Sequence, residues 1–179
     1  MNATDELHKL LSLFPHGQSL VSQAEHIPSS QTPEPYKTLL VHDHHMTVTM
    51  EEFYQTPVRV VVLAREIHGS QYARQSILER VDTGAIVQFG IVRFDFSYVT
   101  PDVRAEILAE QTPLGRILIN YNVLRHIDLG AILRIWPGPE LQSRFQCDAG
   151  TPTFGRLATI FCNQKPAVDL LEVAAPVVR

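Results

Sequence analysis

Val58-Arg59-Val60-Val61-Val62-Leu63 is a β-branched run too short for a helix of its own, and it marks where the hydrophobic period of this 179-residue chain turns from helical to extended. A strand is expected from Val58 to about Glu66. Gly69-Ser70 turns the chain into a second strand over residues 72–81, and Asp82-Thr83-Gly84 turns it into a third over residues 85–96. Three strands joined by tight turns make an antiparallel meander. Further on, residues 124–136 read as a fourth strand. Residues 154–162 and 167–174, joined through Asn163-Gln164-Lys165-Pro166, close the chain as a hairpin and bring the count to six. The Pro/Gly-rich stretch opened by Pro137-Gly138-Pro139 and reaching Pro152 reads as a long loop and a candidate lid.

On the N-terminal side of the meander the pattern is helical. Leu7, Leu10, Leu11 and Phe14 recur on one helical face, with Asn2 or Thr4 able to cap ahead of Asp5 and Glu6, and Pro15-His16-Gly17 ends the run. Residues to about Pro35 are rich in Ser, Gln and Pro and read as a connector. A short helix follows over residues 36–42. Another is expected over residues 48–54, where Thr49 and Glu52 suit a capping pair. Between the third and fourth strands, Thr100-Pro101-Asp102 starts a helix to about Glu110. Thr112-Pro113-Leu114-Gly115 starts the next, with Thr112 as N-cap and Pro113 in the first helical position. The leading N–H groups of Leu114 and Gly115 have no intrahelical acceptor, so an anion is suited to that end. The expected fold is α+β, a single domain over residues 1–179. It has one six-stranded antiparallel sheet with helices over one face, enclosing a small-ligand cavity.

Composition narrows the function. With 45% hydrophobic and 19% charged residues the chain can bury one sizeable core, and a net charge of −4 without a basic block offers no nucleic-acid footprint. Two cysteines, Cys147 and Cys162, are too few for a disulfide scaffold or a thiolate metal cluster. No apolar run approaches the roughly 20 residues that span a bilayer, and the acidic start is unlike a signal peptide, so a cytoplasmic protein is expected. His42-Asp43-His44-His45 invites a metal reading, but on a helix only His42 and His45 share a face, so no metal is expected. A serine nucleophile elbow, a phosphate loop and a dinucleotide fingerprint are all missing from the sequence. What remains is a small set of polar groups on apolar strands, chiefly Arg74 and Glu172. By pattern alone each reads as a surface residue on an open sheet face.

The order of motifs resembles the chorismate pyruvate-lyase family, whose members make 4-hydroxybenzoate from chorismate. The resemblance runs from about Leu39 to Pro176. It rests on Met46-Thr47 after a Leu-rich helix, Arg74 to Leu78 as an Arg-x-x-x-Leu strand, Gly90 on the next strand and the Pro113 to Arg116 helix start. Gly155-Arg156, Lys165-Pro166 and Glu172 four residues before Pro176 complete the series. The resemblance implies that Arg74 and the Leu114 N–H hold a ring carboxylate, and that the Met46 backbone and Glu172 meet a ring hydroxyl. The types suit the roles, since Arg offers a planar donor fork and a carboxylate suits the hydroxyl end. Familiar members carry a second arginine directly after the strand glycine. This chain has Ile91 there, with Arg93 two residues on.

The implied function is a lyase that eliminates pyruvate from chorismate without a cofactor, with Arg74 and Glu172 as its catalytic pair and 4-hydroxybenzoate as product. The resemblance extends to non-catalytic effector-binding domains of bacterial transcription regulators. These normally follow a DNA-binding domain, whereas the first residues here contain one clear helix and a linker. A small-molecule sensor for an aromatic acid is therefore the alternative, and a different aromatic acid as substrate is a third reading. Asp169 and Glu172 lie an odd number of positions apart, so only one can face a cavity, and the spacing to Pro176 selects Glu172.

Overall fold

The computed structural model describes residues 2–177. Six helices and seven strands occur in the order α1 (Ala3–Leu11), β1 (Val21–Ile27), α2 (Tyr36–Leu40), α3 (Met46–Tyr54), β2 (Val58–His68), β3 (Gln71–Arg80) and β4 (Ile86–Asp95). Then come α4 (Pro101–Ala109), α5 (Leu114–Asn120), β5 (Arg125–Pro137), α6 (Pro139–Phe145), β6 (Thr153–Cys162) and β7 (Lys165–Ala174). The strands form one antiparallel sheet in the order β1-β5-β6-β7-β4-β3-β2. The α+β class and the meander β2-β3-β4 stand as the sequence predicts them.

The sheet has seven strands rather than six because β1 lies inside the stretch expected to be a connector. Its less exposed positions recur every third residue, at half-buried Val21 and Ala24 and buried Ile27, since the register against β5 shifts between Val21 and Gln23. A bulged edge strand of polar residues therefore lacks the period-two signal. Residues 137–152 are not a bare loop either. They hold α6, anchored by the fully buried Leu141 and started by Pro139 in its first turn.

Three helix starts show how local signals compete. Thr100 caps α4 as expected, accepting from the Val103 N–H. Thr112 does not cap α5: its hydroxyl donates to Glu106, and Pro113 occupies the cap position. Helix α3 begins at Met46, two residues ahead of the expected start at Val48, with His45 at the cap position four residues ahead of Thr49.

Period-two alternation along the strands gives the sheet two distinct faces. Ala73, Phe89, Ile91, Leu133, Leu157 and Leu171 lie on one, covered by Leu7, Leu10 and Leu11 of α1 and by Leu141 of α6. The other face carries two apolar cores. One joins Tyr72, Phe94, Ile160 and Val168 to α4 and α5. The second joins Leu78, Ile132 and Phe154 to α2 and α3. Between these two cores the apolar face is interrupted by polar residues, and there the site lies.

Candidate functional site

The cavity floor follows from strand register. One row across the sheet runs Ser76, Gly90, Glu172, Arg156, because Ser76 pairs with Gly90, Gly90 with Glu172 and Glu172 with Arg156. One row to its side begins at Arg74 opposite Val92, and the row on the other side pairs Leu78 with Gln88. A cavity of about 50 Å³ opens over these rows, roofed by Met46 at the start of α3 and by Leu114 and Gly115 at the start of α5. Arg74, Glu172, Met46 and Leu114, separated by up to 126 positions in sequence, thus line one cavity.

Two bulges set which side chains point inward. On β7, Val168 pairs with Ile160 but Pro166 with Phe161, so Ala167 is an extra residue. That bulge resets the alternation ahead of Asp169 and Glu172, and Glu172 faces the cavity. Asp169 faces the opposite side, where it pairs with Arg93 and accepts from the Thr159 hydroxyl. Ile91 also faces that other side, in the core under α1.

Arg74 is 3% exposed, and its Nε and Nη1 have no hydrogen-bond partner. Burial pushes its pKa down, opposed by the Tyr72 hydroxyl and by Glu110. Glu110 accepts from both the Tyr72 hydroxyl at 3.3 Å and Arg65 Nη1 at 3.0 Å. Glu110 is thus shared with other donors, and Arg74 lines the cavity with two donors unpaired. An unpaired buried charge is costly, so this geometry strongly favours an incoming anion.

At the Glu172 end the charges are already matched. Arg156, 1% exposed, donates from Nε to Glu172 Oε2 at 2.7 Å, from Nη1 to the His42 carbonyl at 3.0 Å and from Nη2 to the His44 carbonyl at 3.0 Å. It therefore ties the segment before α3 onto the sheet. His42 donates from Nε2 to the Leu39 carbonyl at 2.7 Å, and its Nδ1 accepts from the His44 N–H and from Arg156. His45 Nε2 accepts from Arg125 Nε at 2.7 Å. Burial, with arginines close by, pushes both His42 and His45 down to about 4. These histidines are neutral partners of arginines, and the described residues hold no cluster of three or more metal-ligating side chains.

His45 has a second role. It lines both the cavity and an outer cleft of about 420 Å³ bordered by Glu52, Arg125 and His126. Gly115 makes room for it, since a Cβ there would lie 2.7 Å from His45 Cβ and 2.9 Å from its Cγ. The sequence reading missed His45, Ser76 and Gln88 as cavity residues, and it noted Arg156 without a role. Gln88 carries the signal that singled out Arg74 and Glu172: a lone polar residue in an apolar strand.

No family model and no curated protein matches this chain. Among solved structures it resembles the effector domain of PhnF from Mycobacterium smegmatis, with 12% identity, TM-score 0.53, and 74% of this chain aligned to 88% of that one. The longer PhnF structure from the same organism gives 12% identity and TM-score 0.51, with 73% of this chain covering 63% of its length. The ligand-binding domain of a putative GntR-family transcriptional regulator from Bordetella bronchiseptica gives 10% identity and TM-score 0.51, covering 65% and 85%. At such identities the likeness establishes a shared fold.

These neighbours correct the lyase expectation, because the solved structures that share the fold here are regulator effector and ligand-binding domains. The labels lyase, chorismate, 4-hydroxybenzoate and pyruvate fall with it. The site supplies a physical reason. Glu172 is hydrogen-bonded to a buried arginine instead of standing free as a base. No described helix is long and apolar enough to cross a membrane.

Proposed function

We propose that residues 1–179 act as one cytoplasmic domain that binds a small aromatic monocarboxylate in this cavity and works as a sensor without chemical turnover. The observation that carries this reading is Arg74, a buried guanidinium with two unpaired donors that lines the cavity. Its fork takes the carboxylate, and the backbone N–H of Leu114 adds a donor from the roof. The Met46 backbone and Glu172 meet the far end of the ligand, and Glu172 does so while held by Arg156.

Charge counting supports a monoanion. The cavity wall presents Arg74 as a net positive charge, and the Arg156–Glu172 pair cancels itself. A single carboxylate completes the balance, whereas a dianion would leave a buried charge uncompensated. Val60, Val92, Ile127 and Leu170 give the cavity apolar walls suited to a ring. Admitting that ring requires the His45 wall between the cavity and the outer cleft to move, which breaks its bond from Arg125.

Calorimetric titration with benzoate and with inorganic phosphate tests the reading. Saturable binding of benzoate at one site, without comparable binding of phosphate, is the expected result. Phosphate binding as tightly as benzoate, or the absence of any benzoate binding, overturns it.

A further inference from the structure

Arg65 on β2 and Arg74 on β3 are direct partners in the antiparallel register, so two like charges stand opposite each other on one face of the sheet. Such a pair is destabilising unless an acid is shared between its members. Glu110 fills that place. Its Oε1 accepts from Arg65 Nη1 at 3.0 Å and from the Tyr72 hydroxyl at 3.3 Å, and Tyr72 lies two positions from Arg74 on the same face of β3. The Arg65 side chain is 53% exposed at the free edge of the sheet, whereas Arg74 is buried, so the carboxylate stands between edge and interior. It does not itself line the cavity. Local preferences run against an acid at this position. Glu110 is the C-cap of α4, with a φ of 59° in the left-handed region and a place at the carbonyl end of the helix, where a cation is favoured. A residue that breaks two local rules has its compensation elsewhere, and here that compensation is the pair of arginines.

We propose that Glu110 is an internal competitor of the ligand, a shared counter-ion that lowers the affinity of the cavity for anions, and that Arg65 relieves this competition by drawing Glu110 away from Arg74. The inference rests on the proposed anion-binding role of Arg74 and adds how that affinity is set from outside the cavity. Two guanidinium groups share one carboxylate, so one positive charge is left over for a ligand. Ligand and Glu110 act on the same charge from different sides, and by linkage whatever strengthens one weakens the other. Substitutions at residues 110 and 65 therefore move binding in opposite directions. Removing the acid raises anion affinity. Removing Arg65 leaves Glu110 wholly to Arg74 and lowers it. A Glu110 that only held the loop after α4 in place would do neither, since its loss would loosen the site and weaken binding.

The test is calorimetric titration with benzoate at low salt, on the wild-type chain, Glu110→Gln, Arg65→Gln and the double variant. Glutamine keeps the size and acceptor oxygen of Glu110 and removes only its charge, and thermal melts of the empty variants verify that they fold. Glu110→Gln is expected to bind benzoate at least about threefold tighter than the wild type and Arg65→Gln at least about threefold weaker, the scale of a partly screened charge pair. Because Arg65 acts through Glu110, adding Arg65→Gln to Glu110→Gln changes affinity by less than about twofold. A Glu110→Gln that binds as the wild type does, or more weakly, overturns the inference. So does wild-type affinity in Arg65→Gln, an exposed change that leaves the fold intact, or an Arg65→Gln effect that persists in the double variant. Each of these results leaves the Arg74 reading standing. Absence of benzoate binding by all four proteins overturns both readings.

Discussion

Arg156 and Glu172 face each other across β6 and β7, and the 2.7 Å bond between them commits the acid of the cavity to a structural partner. Because Arg156 also donates to the carbonyls of His42 and His44, one side chain fastens the approach to α3 onto the sheet. Arg156→Met is expected to lower stability by about 3–5 kcal/mol, since it strands a buried carboxylate and two carbonyls. At about 2–4 °C per kcal/mol for a chain of this size, the melting temperature falls by about 6–20 °C. Adding Glu172→Leu to it should recover part of the loss. By contrast, Asp169→Ala removes a partly exposed pair with Arg93 and costs about 1 kcal/mol or less. Thermal melts of the three variants verify the ranking.

Acid sensitivity follows from the two histidines. In the fold His42 and His45 lie at about 4, below the ordinary value near 6.5. The unfolded chain therefore takes up protons first as pH falls. Stability from these groups is complete above about pH 6.5, declines between there and pH 4, and is not lost further below. Urea midpoints at pH 7, 5.5 and 4 should fall in that order, and His42→Gln should show a shallower slope. A midpoint unchanged from pH 7 to 4 contradicts the assignment of neutral, arginine-bound histidines.

Three glycines separate packing from binding. A Cβ at Gly155 would meet the Glu172 carbonyl at 2.8 Å, and one at Gly115 would meet His45 Cβ at 2.7 Å, so alanine at either position forces movement. Each is expected to cost about 1–3 kcal/mol. At Gly90 the nearest atom is 3.5 Å away, so alanine fits the strand and shifts stability by less than about 0.5 kcal/mol. That methyl does fill the floor between Arg74 and Gln88. Gly90→Ala should therefore fold normally and lose at least about tenfold in benzoate affinity. Unchanged affinity in a folded Gly90→Ala removes the floor of β4 from the site.

Much of this arrangement was legible in the chain, and the exceptions have physical causes. Turns announce themselves: Gly69 and Gly84 take positive φ where expected, and Asn163 and Gln164 take it together in the last hairpin. The facing of Glu172 was readable from spacing because the Ala167 bulge restores the alternation. Strand β1 was not, since its bulge erases the period and its side chains are polar. Thr112 misled because an identical Thr-Pro signal can be diverted when a longer acid, here Glu106, captures the hydroxyl. The role of Arg156 was hidden because three of its hydrogen bonds run to His42 and His44, more than a hundred residues away, at and just beyond the end of the expected helix.

Two Arg74 donors are kept unpaired for a ligand, and Arg74→Met tests this by pairing a melt with a titration. Removing a buried charge with two unpaired donors should raise the stability of the empty protein, by about 1–3 kcal/mol or about 2–10 °C, less whatever its contacts with Tyr72 and Glu110 contribute. The same change should weaken benzoate binding by about 2–5 kcal/mol, on the order of 30-fold or more at roughly 1.4 kcal/mol per tenfold. A variant that melts higher and no longer binds is the predicted result. One that melts lower and binds benzoate as well as the wild type would make Arg74 a structural residue and contradict the account.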